Sequence, residues 1–157
     1  MQNLNPTIID LSAKKMIGLS LTMSFAQDQT PMLWKSFMPN RNKVQNRTNE
    51  DYYSLQIFSN DYFKFFNPIT PFVKWALVEV SDFENIPEGM ESFTLEPGKY
   101  AVFHHKGLDK SIFQYIYGVW LPASGYQMDN RPHFEILGAK YKNGDPNSEE
   151  DIYIPIK

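Results

Sequence analysis

Cysteine is absent from the chain, which excludes disulfides, thiolate metal sites and a cysteine nucleophile together. Basic runs are missing too. The 15 Lys and Arg residues are scattered against 18 Asp and Glu, for a formal charge of -3. Such a chain carries no stripe for phosphates, so direct nucleic-acid binding is not expected. No apolar run approaches the ~20 residues of a membrane span, and the opening Met1-Gln2-Asn3-Leu4-Asn5-Pro6 is polar, without a hydrophobic leader. A cytoplasmic protein without membrane contact is the expectation. No phosphate-binding loop or metal set stands out either, so no cofactor is expected.

Aromatic residues, by contrast, are plentiful. The 157 residues include 12 Phe, 9 Tyr and 3 Trp, many in clusters such as Tyr52-Tyr53, Tyr62-Phe63 and Phe65-Phe66. Most must fill a bulky core, yet a surplus of Tyr and Trp also suits the wall of an apolar pocket that needs polar edges. With 42% hydrophobic residues the chain can bury a core as a single domain over 1–157.

Hydrophobic periodicity then divides the chain. Residues 7–25 read as extended; Ile17, Leu19, Leu21 and Met23 alternate with small or polar residues. Thr30 as N-cap and Pro31 at the first helical position open a helix carrying Leu33, Trp34, Phe37 and Met38 on one face. Strands follow at 53–58 and 74–80. After a turn-rich link, 90–96 and 100–105 read as a hairpin turning at Pro97-Gly98. A second helix from Asp109 spaces Ile112, Tyr115, Ile116, Val119 and Trp120 as one apolar stripe, ended by Pro122 and Gly125. Strands at 133–138 and 152–156 close the chain around a polar loop, and Pro155 implies an edge position or a bulge.

The order strand, helix, strand, strand occurs twice, in half-repeats of about 7–82 and 90–157. Residues 16–23 match 100–105, 53–58 match 134–138, 75–80 match 152–156, and the Trp34 helix matches the Trp120 helix. The pattern predicts an α+β fold: an antiparallel sheet with helices on one side and a cleft between pseudo-twofold halves. In the strand Arg131-Pro132-His133-Phe134-Glu135-Ile136-Leu137, alternation points Phe134 and Ile136 one way and His133, Glu135 and Leu137 the other. Glu135 matches Ser54 in the first half, so only one repeat carries the acid. An isolated buried carboxylate is costly, and this asymmetry favours a site.

The series Gly98-Lys99-Tyr100-Ala101-Val102-Phe103-His104-His105-Lys106-Gly107, Trp120-Leu121-Pro122-Ala123-Ser124-Gly125-Tyr126, Pro132-His133-Phe134-Glu135, Asp145-Pro146 and Ile152-Tyr153-Ile154-Pro155-Ile156 is similar to the GyrI-like small-molecule-binding domain, the AraC-type effector-binding domain. Ile86-Pro87-Glu88-Gly89-Met90 resembles the linker of its stand-alone, integron-cassette-type members. The resemblance implies binding of a lipophilic, cationic or aromatic small molecule between the halves, with a carboxylate at Glu135 and aromatic walls, for sensing or sequestration. Where the family has Tyr two residues after this Glu, Leu137 stands here. The resemblance also implies a multidrug-type receptor in transcription regulation, lacking a DNA-binding domain in front and acting alone or through a separate regulator or target protein. Candidate ligand-binding residues are Glu135, Tyr53, Trp75, Phe37, Trp34, Tyr117 and Trp120.

Three other readings compete with ligand binding. Some relatives of this family hydrolyse strained electrophilic molecules, and Glu135 as general base with Tyr53 or Tyr126 as proton donor would suit such a reaction. A metal site from His104, His105 and Glu135 fails because adjacent strand residues face opposite sides. Asp145, Glu149, Glu150 and Asp151 offer an acidic loop to a basic protein partner, or simply a solvated one.

Overall fold

The computed structural model describes residues 5–157; residues 1–4, which enter the leader argument, lie outside the described residues. One antiparallel sheet of eight strands organises the molecule, in the order β1-β6-β8-β7-β3-β4-β2-β5. The strands are β1 (Thr7–Leu11), β2 (Lys14–Met23), β3 (Tyr52–Ile57), β4 (Phe72–Val80), β5 (Glu91–Leu95), β6 (Gly98–Lys106), β7 (His133–Leu137) and β8 (Glu149–Pro155). Helix α1 (Thr30–Phe37) runs on into a 3-10 segment, Met38–Lys43. Helix α2 (Ser111–Tyr115) passes through a π turn, Ile116–Trp120, into α3 (Leu121–Ser124).

The twofold repeat is built into the strand pairing. Ser54 of β3 lies opposite Glu135 of β7, and one continuous row runs Leu19, Ala76, Ser54, Glu135, Ile152, Phe103 across six strands. The pseudo-axis therefore passes between Ser54 and Glu135, each occupying the other's position in its own half. Leu33 and Phe37 of α1 pack with Ile17, Ala76 and Val78; Ile112 of α2 and Ile116 of the π turn pack with Phe103, Ile152 and Ile154. The helices thus cover β2/β4 and β6/β8, and the β3/β7 pair lies between them. A third cluster fills the other face, joining Leu55 and Phe134 of the central strands to Leu95 of β5, with Ile9 and Leu11 of β1 against it. Strands from both edges share that core, so the sheet curls onto its own back.

Four local expectations need correction. The segments at 90–105 form no hairpin. Instead β5 pairs with β2, and β6 pairs with β1 and β8, so the first strand of each half joins the other half's sheet. Pairing outward in this way gives each strand a partner with a complementary buried face, which a two-residue turn alone does not secure. β8 begins at Glu149 and is interior, with Pro155 at its end. There Ile156 N–H bonds Lys99 O on the β6 side, so the missing proline donor faces the β7 side, beyond the last β7 pair at Phe134–Tyr153. The stripe on the second helix is interrupted: the π turn widens the helix by a residue, and Val119 swings out to 60% exposure. Finally, Thr30 does not cap α1 with its own side chain; Asp28 accepts from both the Thr30 N–H and hydroxyl.

The entry to β7 is anchored by Arg131. Its guanidinium donates to Lys99 O, Ile156 O and Asp129 and lies 4.6 Å over the Tyr100 ring. Gly98 is required beside it, because a Cβ there would collide with the guanidinium. These bonds set where β7 starts and thereby which of its residues reaches the axis. Gly125, at φ 82°, ends α3 in the left-handed conformation.

Candidate functional site

Strand alternation at the seam places two sets of side chains on the helix side of the sheet: Tyr52, Ser54 and Gln56 from β3, and His133, Glu135 and Leu137 from β7. Glu135 is half-buried and sits at the centre. Its Oε2 accepts from Gln56 Nε2 at 3.2 Å. Burial is the main influence on its carboxyl, which is pushed up to about 6; Lys74 pulls it down, and Glu150 raises it further. The desolvation penalty for a charge here outweighs what Lys74 and Gln56 return.

Next to it, His133 is 4% exposed, and burial depresses its imidazole to about 3, so the ring is neutral. The Tyr117 hydroxyl and His133 Nδ1 share a 2.8 Å hydrogen bond. Burial, then the Glu135 charge, raises the Tyr117 phenol and keeps it protonated. Phe63, from the loop after β3, stacks on both the Tyr117 ring (4.7 Å) and the His133 ring (5.4 Å), while Phe58 meets His133 edge-on. One end of the seam is thus closed by aromatic rings. A separate cavity of about 170 Å³ opens in the second half beside Glu150, Lys110 and Tyr141.

The residues anticipated as ligand-binding divide into three groups. Glu135 and Tyr117 lie on the helix side at the seam. Half-buried Trp34 stands edge-on to Tyr52 at 6.1 Å, on the same side. Phe37 is fully buried in the α1 core, and Trp120 packs on Phe103 at 5.1 Å and on Tyr126, in the α2 core.

Tyr53 and Trp75 are on the opposite face, which corrects the expectation that they flank Glu135. Tyr53 neighbours Ser54 in sequence and so must point away from it; its hydroxyl donates to Glu79 at 3.0 Å. Trp75 packs on Phe93. Matching residue 75 to 152 was a one-residue slip, since the pairing makes Ala76 the counterpart of Ile152, and a slip of one reverses every side chain. The hydrolytic arrangement loses Tyr53 as a donor by the same geometry, and the Tyr126 ring is stacked on Trp120.

His104 and His105 do face opposite sides. His104 is clasped by Glu149 and Asp151 at 2.7 and 2.8 Å, while His105 is buried against Asp109 O and Glu150. The acidic residues expected in a free loop are therefore mostly strand residues already engaged. Among the described residues no group of three or more His, Asp or Glu could hold a metal ion, and no helix is long and apolar enough to cross a membrane. Gln56, Phe63, His133, Lys74 and Glu150 were not anticipated as site residues. Alternation put His133 on the face of Glu135 and could equally have placed Gln56 with Ser54; nothing local could have brought Phe63 or Glu150 to them.

Comparison with known proteins agrees with this architecture. The chain is 30% identical over 159 residues to the transcriptional regulator BrlR of Pseudomonas aeruginosa, an alignment covering 99% of this chain and 56% of that protein. It thus spans little more than half the length of that relative. Among solved structures, SAV2435 bound to tetraphenylphosphonium superposes with a TM-score of 0.66 at 18% identity, covering 98% of this chain and 94% of that one. The integron cassette protein VCH_CASS2 of Vibrio cholerae superposes at 0.65 with 14% identity, covering 98% and 96%. Residues 7–156 match the description of the integron-associated effector binding proteins, Cass2. With the repeat, the seam and this match over nearly its whole length, the chain belongs to the family of integron-associated effector binding proteins, within the GyrI-like effector-binding domains.

Proposed function

We propose that the chain binds a lipophilic cation on the helix side of the β3/β7 seam, with Glu135 as counter-ion, and that it serves ligand sensing or sequestration. The observation that carries this reading is Glu135 itself: a half-buried carboxylate at the pseudo-axis, raised to about 6 by burial, where the other half has serine. A bulky, delocalised cation loses little hydration on entering such a place, and it relieves the carboxylate's own desolvation cost. Trp34, Tyr52 and Tyr117 would supply ring faces, each worth roughly 0.5–2 kcal/mol to a cation within reach. The tetraphenylphosphonium bound by SAV2435 supports this ligand class by likeness of fold. The kinship to part of a transcriptional regulator supports a sensing role.

Calorimetric titration with tetraphenylphosphonium tests the reading. Binding should weaken as pH falls through about 6 and the carboxyl takes up its proton, and Glu135→Gln should lower affinity at about pH 7.5 by at least tenfold or so. Unchanged affinity in the Gln variant, or binding confined to neutral aromatic compounds, would refute the role of Glu135.

A further inference from the structure

At the β6/β8 side of the second half lies the cavity of about 170 Å³, whose lining includes His105, Leu108, Lys110, Tyr141, Ser148 and Glu150. Glu150 lies two residues before Ile152, the cross-strand partner of Glu135. The two carboxylates are therefore diagonal neighbours on one face, about 7–8 Å apart at their backbones. Tyr141 lines the same cavity as Glu150.

Depth in this cavity is acidic and its rim is basic. Glu150 is 9% exposed at the bottom, with Lys110 Nζ 3.3 Å from its Oε1 but itself 61% exposed. His105 Nδ1 lies 3.5 Å from the same oxygen, and the imidazole is fixed by a 2.6 Å bond from Nε2 to Asp109 O. The walls are tied together: Gly107 N–H donates to Ser148 O, Lys142 N–H to Ser148 Oγ and Glu149 N–H to Lys140 O. Lys110 is thus a loosely held, solvent-exposed partner for a deeply set carboxylate. The volume is comparable with the ~150 Å³ that takes one benzene, which suits a short alkylammonium arm and not a polycyclic body.

We propose that this cavity is a second anchoring site, in which Glu150 accepts an aliphatic ammonium group that displaces Lys110, so that the preferred ligands are dications with one delocalised charge at Glu135 and one amine at Glu150. The inference rests on the proposed role of Glu135 and extends it to ligand shape and charge number.

The test compares hexyltriphenylphosphonium with 6-aminohexyltriphenylphosphonium by calorimetry on the whole chain. The amine should bind roughly ten- to hundredfold tighter. Glu150→Gln should abolish that advantage, so that the two compounds bind the variant with equal affinity. Lys110→Ala, a change at a side chain that is 61% exposed, should enlarge the advantage by removing the competitor. Equal affinities for the two compounds, or an advantage that survives Glu150→Gln, overturn the second anchor and leave the Glu135 reading intact. Failure of the hexyl compound itself to bind overturns both.

Discussion

Around the pseudo-axis the two halves offer the same backbone and different chemistry. Pairing makes Tyr52, Ser54 and Gln56 of the first half the counterparts of His133, Glu135 and Leu137 of the second, and Lys74 the counterpart of Glu150. Away from the seam the halves agree: Leu33 and Phe37 under α1 correspond in role to Ile112 and Ile116 in the second half, all buried. On the back face they part again, where the cross-strand pair Ser20–Trp75 answers to His104–Asp151. Duplication supplies two copies of a packing solution. The carboxylates then fall in one copy, where a strand at the seam can hold Glu135 without disturbing either helix core.

The comparison is broken most severely in the cores. Phe37→Ala should cost about 3–5 kcal/mol and Ile116→Ala about 2–5 kcal/mol, measured from urea midpoints. Both should unfold the whole chain in one transition, because the sheet is continuous. Loss of one half's signal ahead of the other would show that the halves are energetically separate.

A smaller effect distinguishes His133 from its counterpart Tyr52. The unfolded imidazole takes a proton near pH 6.5, but the folded one stays neutral down to about 3. The unfolded state therefore binds more protons below 6.5, and stability is lost as pH falls. By about pH 4.5 the loss from this group amounts to about 3 kcal/mol. His133→Gln, which keeps a partner for Tyr117, should flatten that slope in denaturation curves; an unaltered slope would place the acid sensitivity elsewhere.

Glu135 acts with the opposite sign and least strongly. Its folded carboxyl keeps a proton up to about 6, whereas the unfolded one releases it near 4.5, so the folded state binds more protons in that window. Stability from this group falls as pH rises through it, leaving a cost of about 2 kcal/mol at neutral pH. Without ligand, Glu135→Gln should therefore stabilise the chain above about pH 6 and hardly change it below 4. Destabilisation at neutral pH would mean that the carboxylate is held by stronger partners than Gln56 and Lys74.

Much of the site's foundation could be read locally. Alternation along Arg131-Pro132-His133-Phe134-Glu135 put Glu135 opposite in direction to Phe134, and Phe134 is indeed buried on the back face while Glu135 stands on the helix side. The match of Glu135 to Ser54 held because both strands carry a clear two-residue period. Along β4 every residue from 75 to 78 is apolar, the period vanishes, and the match to β8 could slip by one; Trp75 was turned to the wrong face as a result. The π turn was equally illegible, since Ile112, Ile116 and Val119 fit an ordinary helix in sequence.

By itself, then, the sequence determined the repeat, the two-residue and helical periods, the face on which Glu135 lies and the family resemblance, because each of these is written in spacings of a few residues. Only the tertiary structure decided that β1 and β5 exchange between halves, that Gln56 and Phe63 meet the second half's strand, and that Glu150 shares a cavity with Tyr141. Those outcomes depend on which distant strands pair and in which register. That choice is made by burying whole faces at once, and no short stretch of chain encodes it.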